Sequence, residues 1–102
     1  MARIRTIKPE FWSDSKILRF SRDCRLFYIA LWNFSDDFGR GRAFPRELLG
    51  FAFPCDEDIE TADVKRWLSE LEQERCITLY EADGAPFYQI NHWEEHQKVD
   101  KP

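Results

Sequence analysis

The segment Cys24–Arg42, CRLFYIALWNFSDDFGRGR, restricts the fold of this chain more than any other stretch. Its first half has apolar side chains at the i, i+3, i+4, i+7 and i+8 spacing of an amphipathic helix: Cys24, Phe27, Tyr28, Leu31 and Trp32. A second apolar set widens that stripe and predicts a helix buried on most sides: Leu26, Ile29, Ala30 and Phe34. The segment's last residues, Gly39-Arg40-Gly41-Arg42, predict a turn that presents two guanidinium groups.

Capping residues place the ends of this helix and of two further helices. Ser21 is a good N-cap for the first helix, which should end near Ser35. A proline at the first position predicts a second helix over residues 45–52. A third helix is predicted over residues 61–74, with Thr61 as its cap. This third helix has a narrow apolar stripe on a charged background: Val64, Trp67, Leu68 and Leu71.

After residue 76 the apolar period changes from that of a helix to the two-residue period of a strand. Residues 77–81 and 87–91 predict two strands, and Asp83-Gly84 predicts a tight turn between them. Three helices followed by a hairpin predict an α+β fold, mostly α, of the winged-helix type. This helix-turn-helix variant has three core helices and a C-terminal β-hairpin as its wing. A small α+β domain of another topology is the open alternative.

Residues 1–102 are expected to form a single domain, because a chain of 102 residues suits one core. Residues 1–20 predict an N-terminal arm, extended or an edge strand at 3–7, followed by short helices. Residues 21–91 would form the winged-helix core. Residues 92–102 would form a C-terminal tail, either a short helix or an extended segment, that leads to a downstream region.

Composition and charge narrow the classes of function. Three cysteines without a CxxC motif favour a reduced, intracellular protein, and no apolar run is long enough to span a membrane. Residues 1–46 carry a balance of +5 and residues 47–102 a balance of −9, which together give the net charge of −4. This distribution argues against a protein that coats nucleic acid through its overall charge, and it permits a local basic surface. The alternative is that both halves of the chain present ordinary solvated surfaces.

Eight basic residues are the candidates for DNA contact. They are Arg3, Arg5 and Lys8 on the arm, Arg40, Arg42 and Arg46 around the turn, and Lys65 and Arg66 on the third helix. Guanidinium forks match phosphate geometry and would position a duplex without reading its sequence. An arginine-bearing arm could also enter a minor groove. The alternative for these side chains is a solvated surface or pairing with Asp36, Asp37 and the acidic second half.

No catalytic, cofactor or metal site is predicted. His92 and His96 stand four residues apart, but their spacing fits no common zinc pattern, and we expect His92 and Trp93 to anchor the tail. The paired carboxylates accompany neither a nucleophile nor a glycine-rich phosphate loop, so a non-enzymatic role is expected. The hairpin turn, residues 82–86, has no Lys or Arg and is expected to be a plain turn.

The many aromatic residues are expected to fill the core, because rings at helical spacing usually do so. The set is Phe11, Trp12, Phe27, Trp32, Phe34, Trp67 and Trp93. The stretch Phe51-Ala52-Phe53 exceeds what a small core easily buries. If exposed, this stretch would indicate a surface for self-association.

Three stretches of the chain resemble phage and prophage replication-type proteins. They are the N-terminal MARIRTIKPEFW of residues 1–12, the segment of residues 25–40 that contains Leu31-Trp32-Asn33-Phe34, and the closing WEEHQKVDKP of residues 93–102. The resemblance covers most of the chain apart from residues 53–66. It implies a winged-helix domain like the N-terminal domain of DnaD-type primosomal proteins and phage replisome organisers.

The resemblance also implies a role and partners. Such domains serve DNA binding, self-association or both during replication initiation, and further sequence often follows them. The implied partners are double- or single-stranded DNA, further copies of the chain, and host or phage replication proteins, in the cytoplasm of a bacterial host cell. One departure concerns the third helix, which reads the major groove in a standard winged helix. Here it carries Asp63, Glu70, Glu72 and Glu74 against Lys65, Arg66 and Arg75, which argues against its insertion into a groove.

Overall fold

The first long helix begins and ends where its capping residues predict. The structure, a computed structural model, describes residues 4–97, and in it α1 runs over Arg22–Phe34. The Ser21 hydroxyl oxygen accepts the Cys24 N–H at 3.2 Å. All five residues of the predicted stripe are buried, but Leu26 is 55% exposed. Ile29, Ala30 and Phe34 are partly buried, so α1 is buried on most sides as predicted, and Leu26 is the exception in the widened stripe.

Within residues 4–97 the fold is α+β, with four α-helices and one three-stranded antiparallel sheet. After α1 come β1 (Arg40–Arg42), α2 (Pro45–Ala52), α3 (Thr61–Gln73), β2 (Ile77–Ala82), β3 (Ala85–Ile90) and α4 (Trp93–His96). Two short 3-10 helices, Pro9–Ser13 and Ile17–Arg19, precede α1. The predicted second and third helices and the hairpin are confirmed to within two residues at each end.

The two ends of α3 are closed in different ways, and the N-cap is not the predicted residue. The N-cap is Glu60 and not Thr61, because the Asp63 carboxylate reaches back to accept the Glu60 N–H at 2.8 Å. At the other end Arg75 adopts the left-handed conformation, with φ of 62°. The Cys76 N–H then returns to the Leu71 carbonyl at 2.9 Å, which closes the helix and starts β2.

The sheet has the strand order β1-β3-β2, and β1 is one of its edges. The hairpin turns at Asp83 and Gly84, whose φ values of 51° and 77° match the turn predicted for this dipeptide. Residues 40–42 were predicted as a turn, but they form β1 and pair with β3, with Gly41 opposite Tyr88. The turn lies at Gly39, the residue before β1, where φ is 78°.

Tyr88 links β3 to the end of α1 through a buried polar network. Its hydroxyl donates to the Leu31 carbonyl at 2.9 Å and lies 2.9 Å from the Ser35 hydroxyl. Ser35 reaches the same carbonyl at 2.6 Å. Burial raises the pKa of Tyr88 well above its ordinary value, so the phenol stays neutral and available as a donor.

The N-terminal arm lies along the tail and forms no strand within the described residues. The Thr6 N–H donates to the Gln97 side-chain oxygen at 2.9 Å, and the Gln97 amide donates back to the Thr6 carbonyl at 2.9 Å. The tail resolves to the short helix α4, which Trp93 anchors as predicted, since its ring is buried and donates to the Asp37 carbonyl at 2.9 Å. His92, the other predicted anchor, is 70% exposed and does not serve as one.

Most of the predicted core rings are buried, and Trp12 is the exception at 59% exposure. It lies in the first 3-10 helix beside the buried Phe11, whose ring takes the inward position. In the segment 51–53, Phe53 is buried, whereas Phe51 is 37% exposed and packs one side of its ring against Phe34, with ring centroids 5.1 Å apart. None of the helices between residues 4 and 97 has the length and hydropathy needed to cross a bilayer.

Candidate nucleic-acid interface

Three of the candidate arginines lie close together in the chain, two on β1 and one at the start of α2. Arg40 and Arg42 alternate along β1 and therefore project from the same face of the sheet, while Gly41 between them faces the core. Their side chains are 46% and 57% exposed. Arg46 is exposed in the first turn of α2, which begins three residues after β1. The short connection keeps these guanidinium groups on neighbouring elements.

Two of these arginines have carboxylate partners at the surface. Arg42 donates to Glu47 at 2.6 Å, and Arg40 lies 3.9 Å from Asp36. Exposed pairs of this kind stabilise a fold by about 0–1 kcal/mol, so a phosphate can replace the carboxylate at little cost. Among the described residues, Arg46 has no carboxylate within ion-pair distance.

Arg5 does not belong to this interface, although the sequence placed it there. Its side chain is only 7% exposed, and it donates to the carbonyls of Trp32, Ser35 and Asp36, each at 3.1 Å. The guanidinium also stacks over the Trp93 ring at 4.8 Å. These carbonyls lie at and just beyond the C-terminal end of α1, where helix carbonyls have no partner in the helix. Arg5 satisfies them with three of its N–H donors, and its burial keeps the guanidinium away from a surface that DNA could contact.

The other candidates are divided between the tail and α3. The Lys8 ammonium donates to the Glu95 carbonyl, which holds it against α4, and Arg3 lies outside the described residues. On α3, Arg66 pairs with Asp63 at 2.9 Å and approaches Glu70 at 3.9 Å, while Lys65 is exposed and has no ion pair within residues 4–97. The structure thus does not gather all eight into one surface.

Asp63, in the first turn of α3, is held in its charged form. The Glu60 backbone N–H and then the Arg66 guanidinium lower the pKa of Asp63 below its ordinary value. At neutral pH this carboxylate is charged, and it lies in the N-terminal turn of α3, the part of the helix that would meet a groove. A phosphate brought to that turn would meet a fixed negative charge.

Sequence reasoning missed three aromatic residues beside the arginines. Tyr80 and Phe87 are directly opposed on β2 and β3, with ring centroids 5.8 Å apart and planes within 20°. The Arg40 guanidinium lies 4.9 Å from the centroid of the Phe38 ring, which is 61% exposed. The signal for the pair was present in the sequence, because a two-residue turn at Asp83-Gly84 places positions 80 and 87 opposite each other.

Cys24 and Cys76 are buried and His96 is partly buried, whereas Cys55 and His92 are exposed. Burial raises the pKa of the Cys24 thiol to about 12 and that of Cys76 to about 11, so neither is a thiolate at neutral pH. The His96 ring stacks on Trp32 at 6.1 Å, and burial lowers its pKa. Between residues 4 and 97, no three His, Cys, Asp or Glu side chains are grouped as metal ligands.

Comparisons with protein-family models, with curated proteins and with solved structures found no significant match.

Proposed function

We propose that this chain is a winged-helix module of a phage or prophage replication protein that binds nucleic acid and performs no catalysis. Three observations support the fold assignment: the order α1-β1-α2-α3-β2-β3, the strand order β1-β3-β2, and a terminal hairpin that can serve as the wing. The resemblance of residues 1–12 and 93–102 to replication-type proteins supports the biological setting.

The observation that carries the binding proposal is that Arg40 and Arg42 project from one exposed face of β1, with Arg46 exposed at the start of the helix that follows. A guanidinium presents a planar fork of donors that fits the oxygens of a phosphate group. Such contacts hold a nucleic-acid backbone in place and carry no sequence information. The acidic α3 and the hairpin turn, which carries Asp83 and no Lys or Arg, leave β1 and the start of α2 as the better electrostatic partners for a nucleic-acid backbone.

Fluorescence anisotropy with a labelled single strand and the matching duplex tests this proposal at about 50 and 200 mM salt. Each phosphate that a cation neutralises adds about 0.7 to 0.9 to the slope of log affinity against log salt. We expect a slope of about 2 to 3 for the unaltered chain. We expect Arg42→Ala together with Arg46→Ala to lower that slope by about 1.5 to 2.

Arg22→Ala is the matched control for these variants. It removes an exposed arginine at the first position of α1, whose 13 residues separate it from the β1 end by roughly 20 Å. We expect this control to bind as the unaltered chain does. The absence of salt-sensitive binding at about 50 mM would contradict the proposal.

A protein-interaction module is the second candidate function. Exposed apolar side chains favour it, since Leu18 and Leu26 are 54% and 55% exposed before and on α1, and Trp12 is 59% exposed. Scattered apolar residues are ordinary on protein surfaces, whereas a contiguous group marks a contact. Light scattering over a wide range of concentration would show a rising mass if the chain self-associates. A constant monomer mass would contradict self-association.

A further inference from the structure

The outward face of the sheet combines aromatic rings with the arginines of β1. The register places Arg42, Phe87 and Tyr80 in one row across the three strands. Arg40 and Gln89 form the row beside it, and the Gln89 amide donates to the Phe38 carbonyl at 2.8 Å. We use the term aromatic face for Phe38, Tyr80 and Phe87 together with Arg40 and Arg42.

The aromatic face lies on the side of the sheet away from the core. Alternate residues of the same strands, Ile77, Tyr88 and Ile90, are buried on the opposite side. Phe38 is 61% and Tyr80 38% exposed, and an open cleft of about 320 Å³ is lined by Arg40 and Arg42 of β1 and by the rings of Tyr80 and Phe87. Within residues 4–97, no helix covers these rings.

Exposed rings beside arginines match the chemistry of an unpaired nucleotide. The face of a base stacks on an aromatic ring regardless of its identity, and an adjacent guanidinium pairs with the phosphate. In a duplex each base is covered above and below by its neighbours, so a flat ring has no base face to meet. A site that binds only phosphate needs arginines alone. Phosphate binding therefore does not account for the exposed aromatic rings.

We infer that the aromatic face binds single-stranded nucleic acid, with bases stacked on Phe38 and Tyr80 and phosphates paired with Arg40 and Arg42. This inference rests on the proposed function and names its substrate class. Asp36 and Glu47 release their arginines when the strand binds, because these exposed pairs are weak. Phe87 supports Tyr80 from the central strand, where it is only partly exposed. The site is short and accommodates about two to four nucleotides.

The test compares labelled (dT)12 with a 12-base-pair duplex by fluorescence anisotropy at about 50 mM salt. The variant is Phe38→Ser together with Tyr80→Thr, which removes two exposed rings and keeps a β-branched residue in the strand. We expect the affinity for (dT)12 to fall at least tenfold and the affinity for the duplex to change less than twofold. The single variant Tyr80→Phe keeps the ring and should retain binding.

Trp12→Ser is the matched control, since it removes an exposed ring of the first 3-10 helix, which is not part of the sheet. It should leave (dT)12 binding unchanged, and thermal melting should show that every variant is folded. Two results together would overturn this inference and keep the proposed function. They are unchanged (dT)12 binding in the double variant and weaker binding of both ligands by Arg42→Ala with Arg46→Ala. No binding of either ligand by the unaltered chain would overturn both. If the double variant differs in mass from the unaltered chain by light scattering while its (dT)12 binding is intact, the face is assigned to a protein partner. This result would also overturn the inference.

Discussion

Gly41 is the residue on which the placement of β1 depends most directly. A methyl group at this position would lie 2.6 Å from the Tyr88 hydroxyl and 2.8 Å from the ring. Tyr88 cannot move aside easily, because it is fully buried and its hydroxyl bonds the Leu31 carbonyl. The two arginines therefore flank a glycine because the core requires the absence of a side chain there.

We expect Gly41→Ala to lower the free energy of unfolding by about 1–3 kcal/mol, since it overfills a packed site. Urea denaturation measures the change. Gly50→Ala is its control, because Gly50 lies in α2 with nothing within 4 Å of a new methyl group. That change should stabilise the chain by about 0.5–1 kcal/mol through helix propensity. Equal effects of the two changes would contradict this account of β1.

At the scale of elements, local sequence predicted the helices and the hairpin and failed for β1 and Arg5. The stripes of α1 and α3 and the Asp83-Gly84 turn are specified by neighbours within a few residues. A three-residue strand has no such pattern, and β1 exists because β3 pairs with it from the other end of the chain. Arg5 likewise finds its carbonyl partners about 30 positions away, a distance that no local pattern encodes.

The end of α1 depends on Arg5, which gives a second prediction for stability. Arg5→Gln removes a charged group that donates to three carbonyls and leaves them without these donors. We expect the free energy of unfolding to fall by about 2–3 kcal/mol, measured by urea denaturation. Arg40→Gln breaks an exposed pair at 3.9 Å and an exposed contact with the Phe38 ring, and it should change the free energy of unfolding by less than about 1 kcal/mol. If both variants unfold alike, Arg5 has no such structural role.

At the scale of the whole molecule, the unequal charge of the two halves becomes a difference between surfaces. The positive excess of the first half is partly used inside the fold, by Arg5, and partly displayed at β1 and α2. The negative excess of the second half lies partly on α3, where carboxylates pair with Arg66. The candidate site could therefore be predicted only in part. The sequence identifies the basic residues but not which of them make their contacts inside the fold.

The central claim is that nucleic acid contacts β1, the start of α2 and the adjacent sheet face, and not α3. An assigned amide spectrum, recorded by NMR during titration with (dT)12 and with a duplex at about 50 mM salt, tests this claim residue by residue. We expect the largest shift changes at residues 38–46, 80 and 87–89, and small changes along Thr61–Gln73. Shift changes concentrated on α3, or none with either ligand, would contradict the claim.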